Sequence, residues 1–448
     1  MSKKTPSRLE NGAHFDNFRL AVCDLNGILR GKRFPAESIK KLLKEGSRMP
    51  ISTSCIDIWG VDLVSSPYLF DSGDADGFVL PTRADLIPIR WLDRPTAVLP
   101  SAMYDDKKQP SLIDPRHVLD NILDRYYSLN LKPVIAFELE FYLLDRISKK
   151  PLVPKNPITK RRLLNTSVLS IDELDTFESF LSDVSTACKD HKIPVDTAIS
   201  ENGIGQFEIN LKHTEDILVA ADHALFFKRL VKGVAYKHSL KASFMAKPFL
   251  DSPGNGMHLH MSILDNAGFN ILNLNSEAGL TTLHNAIGGL ISSIKESMLI
   301  FAPHLNSYRR LREGSHAPTS ICWGYENRTA SIRIPGGDSD DTRIEHRVAG
   351  ADANPYLVAA AILSAALDGI VKGTAAPEPV EGDSYTKNLD KIPSDWFTAI
   401  KLFENGPFNK TVYSERFIEV FSNLKKQELS TFAERMEDFE ALTYMDSV

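Results

Sequence analysis

Five short segments of this chain alternate polar and apolar residues with a period of two, the spacing of a strand whose side chains point to opposite faces. In Phe137-Glu-Leu-Glu-Phe-Tyr, Glu138 and Glu140 share one face while Phe137, Leu139 and Phe141 share the other. Gln206, Glu208 and Asn210 align in the same way, as do His258, His260 and Ser262, then Ser331 with Arg333, and Arg343 with Glu345 and Arg347. Any antiparallel sheet with one solvated face yields half-polar strands. Solvated faces favour Thr, Lys and mixed charge, however, whereas these carry paired Glu, paired His and an Arg-Glu-Arg run. If the strands are neighbours, their carboxylates converge and repel unless cations lie between them. Oxygen ligands with an occasional imidazole suit Mg2+ or Mn2+ better than Zn2+. Hard cations beside several arginines form the kit of phosphoryl transfer.

The 448 residues exceed one ordinary core, so a small and a large domain are expected. Residues 1–15 read as a polar, flexible N-terminus. Residues 16–105 read as a small α+β domain: a strand from Phe18, a turn at Asn26-Gly27, a returning strand over Leu29–Arg33, a short helix over Pro35–Leu43, and short strands between Gly73 and Pro100. A polar connector ending at Pro110 leads to a large domain over 112–448, whose first helix is capped by Asp114-Pro115 and runs to about Leu129. Lys149–Arg162 reads as an exposed loop, and Tyr356–Leu367 as a buried core helix capped by Asn354 and Pro355.

A net charge of −6 argues against a nucleic-acid surface or a polybasic membrane anchor. Cys23, Cys55, Cys188 and Cys322 have no metal-ligand spacing and read as reduced thiols. No apolar run is long enough to span a bilayer, and a cytoplasmic enzyme is expected. Neither a Walker A signature nor a GxGxxG after a strand is present, which argues against P-loop and Rossmann nucleotide sites.

Six separated motifs resemble the glutamine synthetase superfamily, type I-like, in the character of its γ-glutamylamine and γ-glutamylpolyamine synthetases. They are Phe137-Glu-Leu-Glu, Glu201-Asn-Gly-Ile-Gly-Gln-Phe-Glu, Gly256-Met-His-Leu-His-Met-Ser, Asn306-Ser-Tyr-Arg-Arg, Asn327-Arg-Thr-Ala-Ser-Ile-Arg-Ile-Pro and Arg343-Ile-Glu-His-Arg. The resemblance implies an α+β fold: a small N-terminal β-grasp-like domain, and a large catalytic domain with a curved antiparallel sheet flanked by helices. It implies two or more Mg2+ or Mn2+ per active site, one held by Glu140, Glu201 and Glu208 and the other by Glu138, His258 and Glu345. Arg310, Arg347 and the backbone at Gly254 would hold glutamate, with His260 beside it. Arg328, Arg333 and Arg343 would meet the phosphates of ATP, with Ser262 beside the nucleotide. The implied reaction phosphorylates the glutamate side chain, and an amine then displaces phosphate to form an amide. The implied assembly is a dodecamer of two hexameric rings, with active sites between subunits.

Two departures bear on the amine. Family members that use ammonium carry a Gly-Tyr-Glu-Ala-Pro flap, and here Gly314-Ser-His-Ala-Pro puts His316 in the Glu position. A second ammonium-site carboxylate, the Asp of Asp-Gly-Ser-Ser-Ile, aligns with Ser52. Loss of both carboxylates weakens the hold on a small cation and leaves carbon to be buried, which points to an organic mono- or polyamine as acceptor, with Arg328, His316 and Ser52 as the catalytic set. Pro253 and Asp390 also depart from the family, the latter standing where some members carry an adenylylated tyrosine. Two readings compete: an ordinary glutamine synthetase drawing on Asp57 or Glu313 for ammonium, and a non-catalytic structural relative.

Overall fold

The computed structural model describes residues 15–83, 86–166, 168–338, 341–435 and 445. The expected flexible N-terminus lies outside them, apart from Phe15. The chain then enters β1 (Asn17–Cys23), turns at Asp24–Ile28 and returns as β2 (Leu29–Pro35), with Gly27 at φ 72° in the turn. Asp24 holds this turn by accepting from Ile28 N at 2.8 Å and from Arg30 Nε at 2.8 Å. The short helix expected after Pro35 forms as a 3-10 turn at Ala36–Ser38 followed by a helix at Ile39–Glu45. With β3 (Ser47–Pro50), β4 (Asp76–Pro81), β5 (Ile87–Pro88) and β6 (Thr96–Tyr104), the described residues form a sheet of order β2-β1-β6-β4-β3, and β5 pairs with β6. Only β1 and β6 run parallel.

Asp114 caps the helix Pro115–Ser128, accepting from Arg116 N at 2.8 Å, and its second oxygen accepts from Met103 N at the end of β6. One carboxylate thus joins the last strand of the small sheet to the first helix of the larger unit. The second sheet is built from β7 (Lys132–Asp145), β8 (Val195–Ser200), β9 (Gln206–Leu211), β10 (Leu240–Ser243), β11 (Met257–Leu264), β12 (Trp323–Tyr325), β13 (Ile332–Ile334) and β14 (Ile344–His346). Its order is β12-β13-β14-β11-β7-β9-β8, with β10 on β7, and all pairs are antiparallel except β12 with β13. This is the mixed fold with a curved sheet and helices that the motifs imply.

The apolar face of this sheet forms the core. Phe141 of β7 packs against Phe207 of β9 at 6.2 Å and against Phe180 and Phe244, all buried. Burial of each such ring contributes about 2–3 kcal/mol, which commits the strand faces to one orientation. The helix Pro355–Lys372 is buried against Glu277–Phe301, and Asn354 caps it by accepting from Tyr356 N. It is the one helix among the described residues long and apolar enough to cross a membrane, and 83% of its apolar window is buried in the protein.

Candidate active site

With the apolar residues committed to the core, the polar residues of β7, β9 and β11 share the opposite face. Register then fixes which of them meet. His258 lies opposite Glu138, Glu138 opposite Asn210, Glu140 opposite Glu208, and His260 opposite Glu345, which in turn faces Arg333. One oxygen each of Glu138 and Glu140 and one nitrogen of His258 lie within 4.8 Å of one another. Two carboxylates at that distance repel by about 3 kcal/mol at an effective dielectric of 20.

The protonation pattern reflects this crowding. Burial and then the charges of Glu138 and Glu140 push the Glu208 carboxyl far up. Burial and Glu140 push Glu201 up to about 6. Burial also opposes charge on Glu138, but His258 at 2.7 Å and His260 at 3.3 Å hold it well below the usual carboxylate range. A group of carboxyls that compete for protons, with few imidazoles among them, has the donor chemistry of a hard divalent cation site.

A cavity of about 320 Å³ opens onto this face. Glu138, Glu140, Glu201, Glu208 and His258 line it, and so do Arg310, Arg328, Arg347, Gly254 and His316. Arg310 is buried and donates to Val348 O at 2.9 Å and Arg347 O at 3.3 Å. Glycine is required where this arginine passes the loop before β11. A Cβ on Gly256 would sit 2.7 Å from His258 Nε2 and 2.8 Å from Arg310 Nη2, and Gly256 N donates to Glu140 Oε2 at 2.6 Å.

Glu345 and Arg333 lie on the adjoining strands, Arg343 immediately precedes β14, and none of the three lines the cavity. Glu345 is bracketed by Arg347 and by Arg333, whose second nitrogen reaches Glu326 at 2.8 Å, and it stands 3.7 Å from His258 Nδ1. Among the described residues, the buried Arg343 Nε has no hydrogen-bond partner. Ser262 sits two residues beyond His260 on the same face of β11, half-buried.

His316 lines the cavity with φ 59°, a left-handed conformation that L residues seldom adopt. Ser52 does not line the cavity of its own chain. It is buried in the small sheet's unit and donates to Asp74 Oδ1 at 2.6 Å, so a carboxylate stands beside Ser52 after all. The two carboxylates considered for ammonium are engaged elsewhere: Asp57 accepts from Trp59 N, Val61 N and Gln427, and Glu313 lies 3.4 Å from Lys391.

Residues given no role from the sequence also line or brace the cavity. Gln206 donates to Gly254 O and Asn255 Oδ1, both at 2.9 Å, and Tyr142 donates to Pro253 O, so the two brace the loop before β11. Both share the polar face with Glu140 and Glu208, and that alternation was their signal. Val168, Leu169 and Ile199 give the cavity an apolar wall. Val168 and Leu169 come from an irregular loop, where no periodicity marks them.

A sheet face of converging carboxylates and imidazole, opening into a cavity guarded by arginines, has the make-up of an enzyme site for a divalent cation and an anionic substrate. Residues 112–444 match the family model described as "Glutamine synthetase, catalytic domain", and the chain belongs to the glutamine synthetase family, whose enzymes use ATP and divalent metals. It is 37% identical over 433 residues to a gamma-glutamylputrescine synthetase of Escherichia coli, covering 96% of this chain and 91% of that protein. It is 28% identical to a glutamate–isopropylamine ligase of a Pseudomonas species, covering 97% and 96%. A solved structure titled "Apo GmaS without ligand" superposes with a TM-score of 0.84 at 28% identity, covering 96% of this chain and 97% of that one.

Proposed function

We propose that this chain is an ATP-dependent ligase that converts glutamate to γ-glutamyl phosphate and transfers the γ-glutamyl group to an organic amine, releasing ADP and phosphate. The observation that carries the acceptor side is the cavity wall: His316 stands in the flap where a carboxylate would hold ammonium, beside apolar Val168, Leu169 and Ile199. Relatives named for ligating putrescine and isopropylamine support the same acceptor class.

Glu140, Glu201 and Glu208 would hold one Mg2+ or Mn2+, and Glu138, His258 and Glu345 a second. Bound there, the cations supply charge neutralisation at the transferring phosphoryl group. Arg310 and Arg347, with the Gly254 backbone and His260 nearby, would bind glutamate. Arg328, Arg333 and Arg343 would meet the phosphates with Ser262 near the nucleotide, a task suited to the guanidinium fork. His316 would take the proton of the attacking amine. Because Ser52 lies away from its own chain's cavity, it would serve a neighbour's in a ring assembly of two hexamers. Residues 16–105 and 112–448 would be the two domains of each subunit. Four buried free thiols fit a reducing cytoplasm.

A specific observation favours a second reading. Asp74, hydrogen-bonded to Ser52, offers a carboxylate that ammonium or the ammonium group of an amine could use. ADP release from ATP and glutamate, with Mg2+ and each of ammonium, methylamine, ethanolamine, putrescine and spermidine, separates the two. The proposed function requires faster release with an organic amine.

A further inference from the structure

Where the β1–β2 turn approaches the helix Ile217–Lys237, a second cleft opens. It comprises two adjoining cavities of about 710 and 870 Å³ that share Lys228, Lys232, Tyr236, Arg146 and the Gly27–Ile28 turn. Neither shares a lining residue with the catalytic cavity. Trp91 and Phe244 contribute apolar wall.

The charge in this cleft is one-sided. Arg146, Lys228, Arg229, Lys232, Lys237 and Lys241 face Asp93 at the rim and Asp352. Asp352 is half-buried, one of its oxygens accepts from Ser307 at 2.7 Å, and its charge favours the charged form of Lys228. Lys228 and Lys232 are one helical turn apart, the spacing at which like charges repel. Lys228 is 7% exposed, and its hydrogen-bond partner is the Ala353 carbonyl at 3.0 Å. Burial, and then the Lys232 charge, pull Lys228 down to about 7. Among the described residues, the buried Arg229 Nε has no hydrogen-bond partner, and its guanidinium lies 5.7 Å over the Trp91 ring. Burial disfavours charge on Arg229, and among the described residues no carboxylate offsets it. Lys232 remains open to solvent within the cleft.

A solvated basic surface would not bury one of these lysines. Asp352 offsets part of the charge at Lys228, but six cations against two lining carboxylates leave a surplus that an anion would neutralise. The volume and the apolar walls suit a ligand with a hydrocarbon body. We propose that this cleft is a binding site, separate from the catalytic one, for a small organic dianion whose charged end lies between Lys228, Arg229 and Lys232 and whose body rests against Trp91. Bound there, the dianion bridges the β1–β2 turn of the small unit and the long helix of the large one. The ligand chemistry is shared by dicarboxylates and phosphate monoesters.

The test titrates the full-length protein, without ATP or metal, with succinate and separately with phenyl phosphate, reading heat of binding and tryptophan fluorescence. One of the two binds and perturbs fluorescence, and the perturbation disappears in Trp91→Phe. Binding weakens roughly tenfold or more in Lys232→Gln, as expected for loss of a charge-assisted contact. Lys228→Met shows the same loss and guards against a local effect of one substitution. Arg310→Ala leaves this binding intact, because Arg310 belongs to the catalytic cavity. The proposal is overturned if neither anion binds at about 10 mM, if both lysine variants bind as the unmodified protein does, or if binding is lost in Arg310→Ala. Ligase activity is read separately, so failure of the proposed function leaves this result standing, and the reverse.

Discussion

His258 Nδ1 lies 2.7 Å from Glu138 Oε1, although 120 residues separate the two in the chain. The contact follows from the register that sets β11 against β7, and it brings to one point a face whose other members are Glu140 and Glu208. If that face holds divalent cations, removing a ligand carboxylate leaves the others poorly compensated. Glu140→Ala and Glu208→Ala should each lower turnover by at least about 100-fold and weaken Mn2+ binding by about 10–100-fold. Equilibrium Mn2+ titration and steady-state rates check this, and unchanged values in either variant would remove the metal assignment.

Stability should fall on mild acidification. Burial keeps His191 and His223 neutral, each lowered from 6.5 to about 4. Between pH 6.5 and about 4 the unfolded chain binds protons that the folded one does not. Their contribution is therefore complete above pH 6.5, declines as the pH falls through that window, and has been lost at about pH 4. Each gap corresponds to about 3 kcal/mol. Thermal melting between pH 7 and pH 4 should show a steadily falling midpoint. The decline should be shallower in His191→Gln, which retains a donor for Pro88 O.

Glu428 joins the C-terminal helix Glu415–Ala433 to the small unit. It accepts from Asn26 Nδ2 at 3.0 Å, Ile58 N at 2.9 Å and Lys425 Nζ at 2.9 Å, and both Glu428 and Lys425 are fully buried. Glu428→Ala strands a buried ammonium group and should cost about 3–5 kcal/mol, whereas Lys425→Met/Glu428→Leu should cost less because no charge is left alone. Urea denaturation of the three proteins tests the order.

The position of Ser52, off its own chain's cavity, predicts that activity depends on assembly. Mass measured by light scattering should correspond to a dodecamer. Dilution that releases monomers should abolish turnover, and full activity in a monomer would contradict the shared site.

His316 offers the cleanest handle on acceptor choice. His316→Glu should shift preference toward ammonium, since a carboxylate favours a nearby cation and takes room from an alkyl chain. Ser52→Asp is a poorer probe than the sequence suggests, because its new charge would face Asp74. Relative rates with ammonium and with each amine, in the unmodified protein and in His316→Glu, measure the shift.

Much of the site was legible because strand period is strict. Once Phe137, Leu139 and Phe141 are committed to the core, Glu138 and Glu140 have one direction left. Helix ends were legible for the same local reason, as at Asp114 and Asn354. What could not be read depends on partners far apart in sequence. Asn26 meets Glu428 across 402 residues, and Asp74 meets Ser52 between two loops. Leu169 reaches the cavity from an irregular loop, and the parallel pairing of β12 with β13 leaves no trace in alternation.

The acceptor amine tests the account most directly. The measurement is kcat/KM for ammonium and for a panel of organic amines, at saturating ATP, glutamate and Mg2+. With His316 in the flap and an apolar wall at Val168, Leu169 and Ile199, the best organic amine should exceed ammonium by about fourfold for each methylene buried, at about 0.8 kcal/mol apiece. If ammonium is used at least as well as every amine in the panel, the amine-ligase account is wrong and the chain is an ordinary glutamine synthetase.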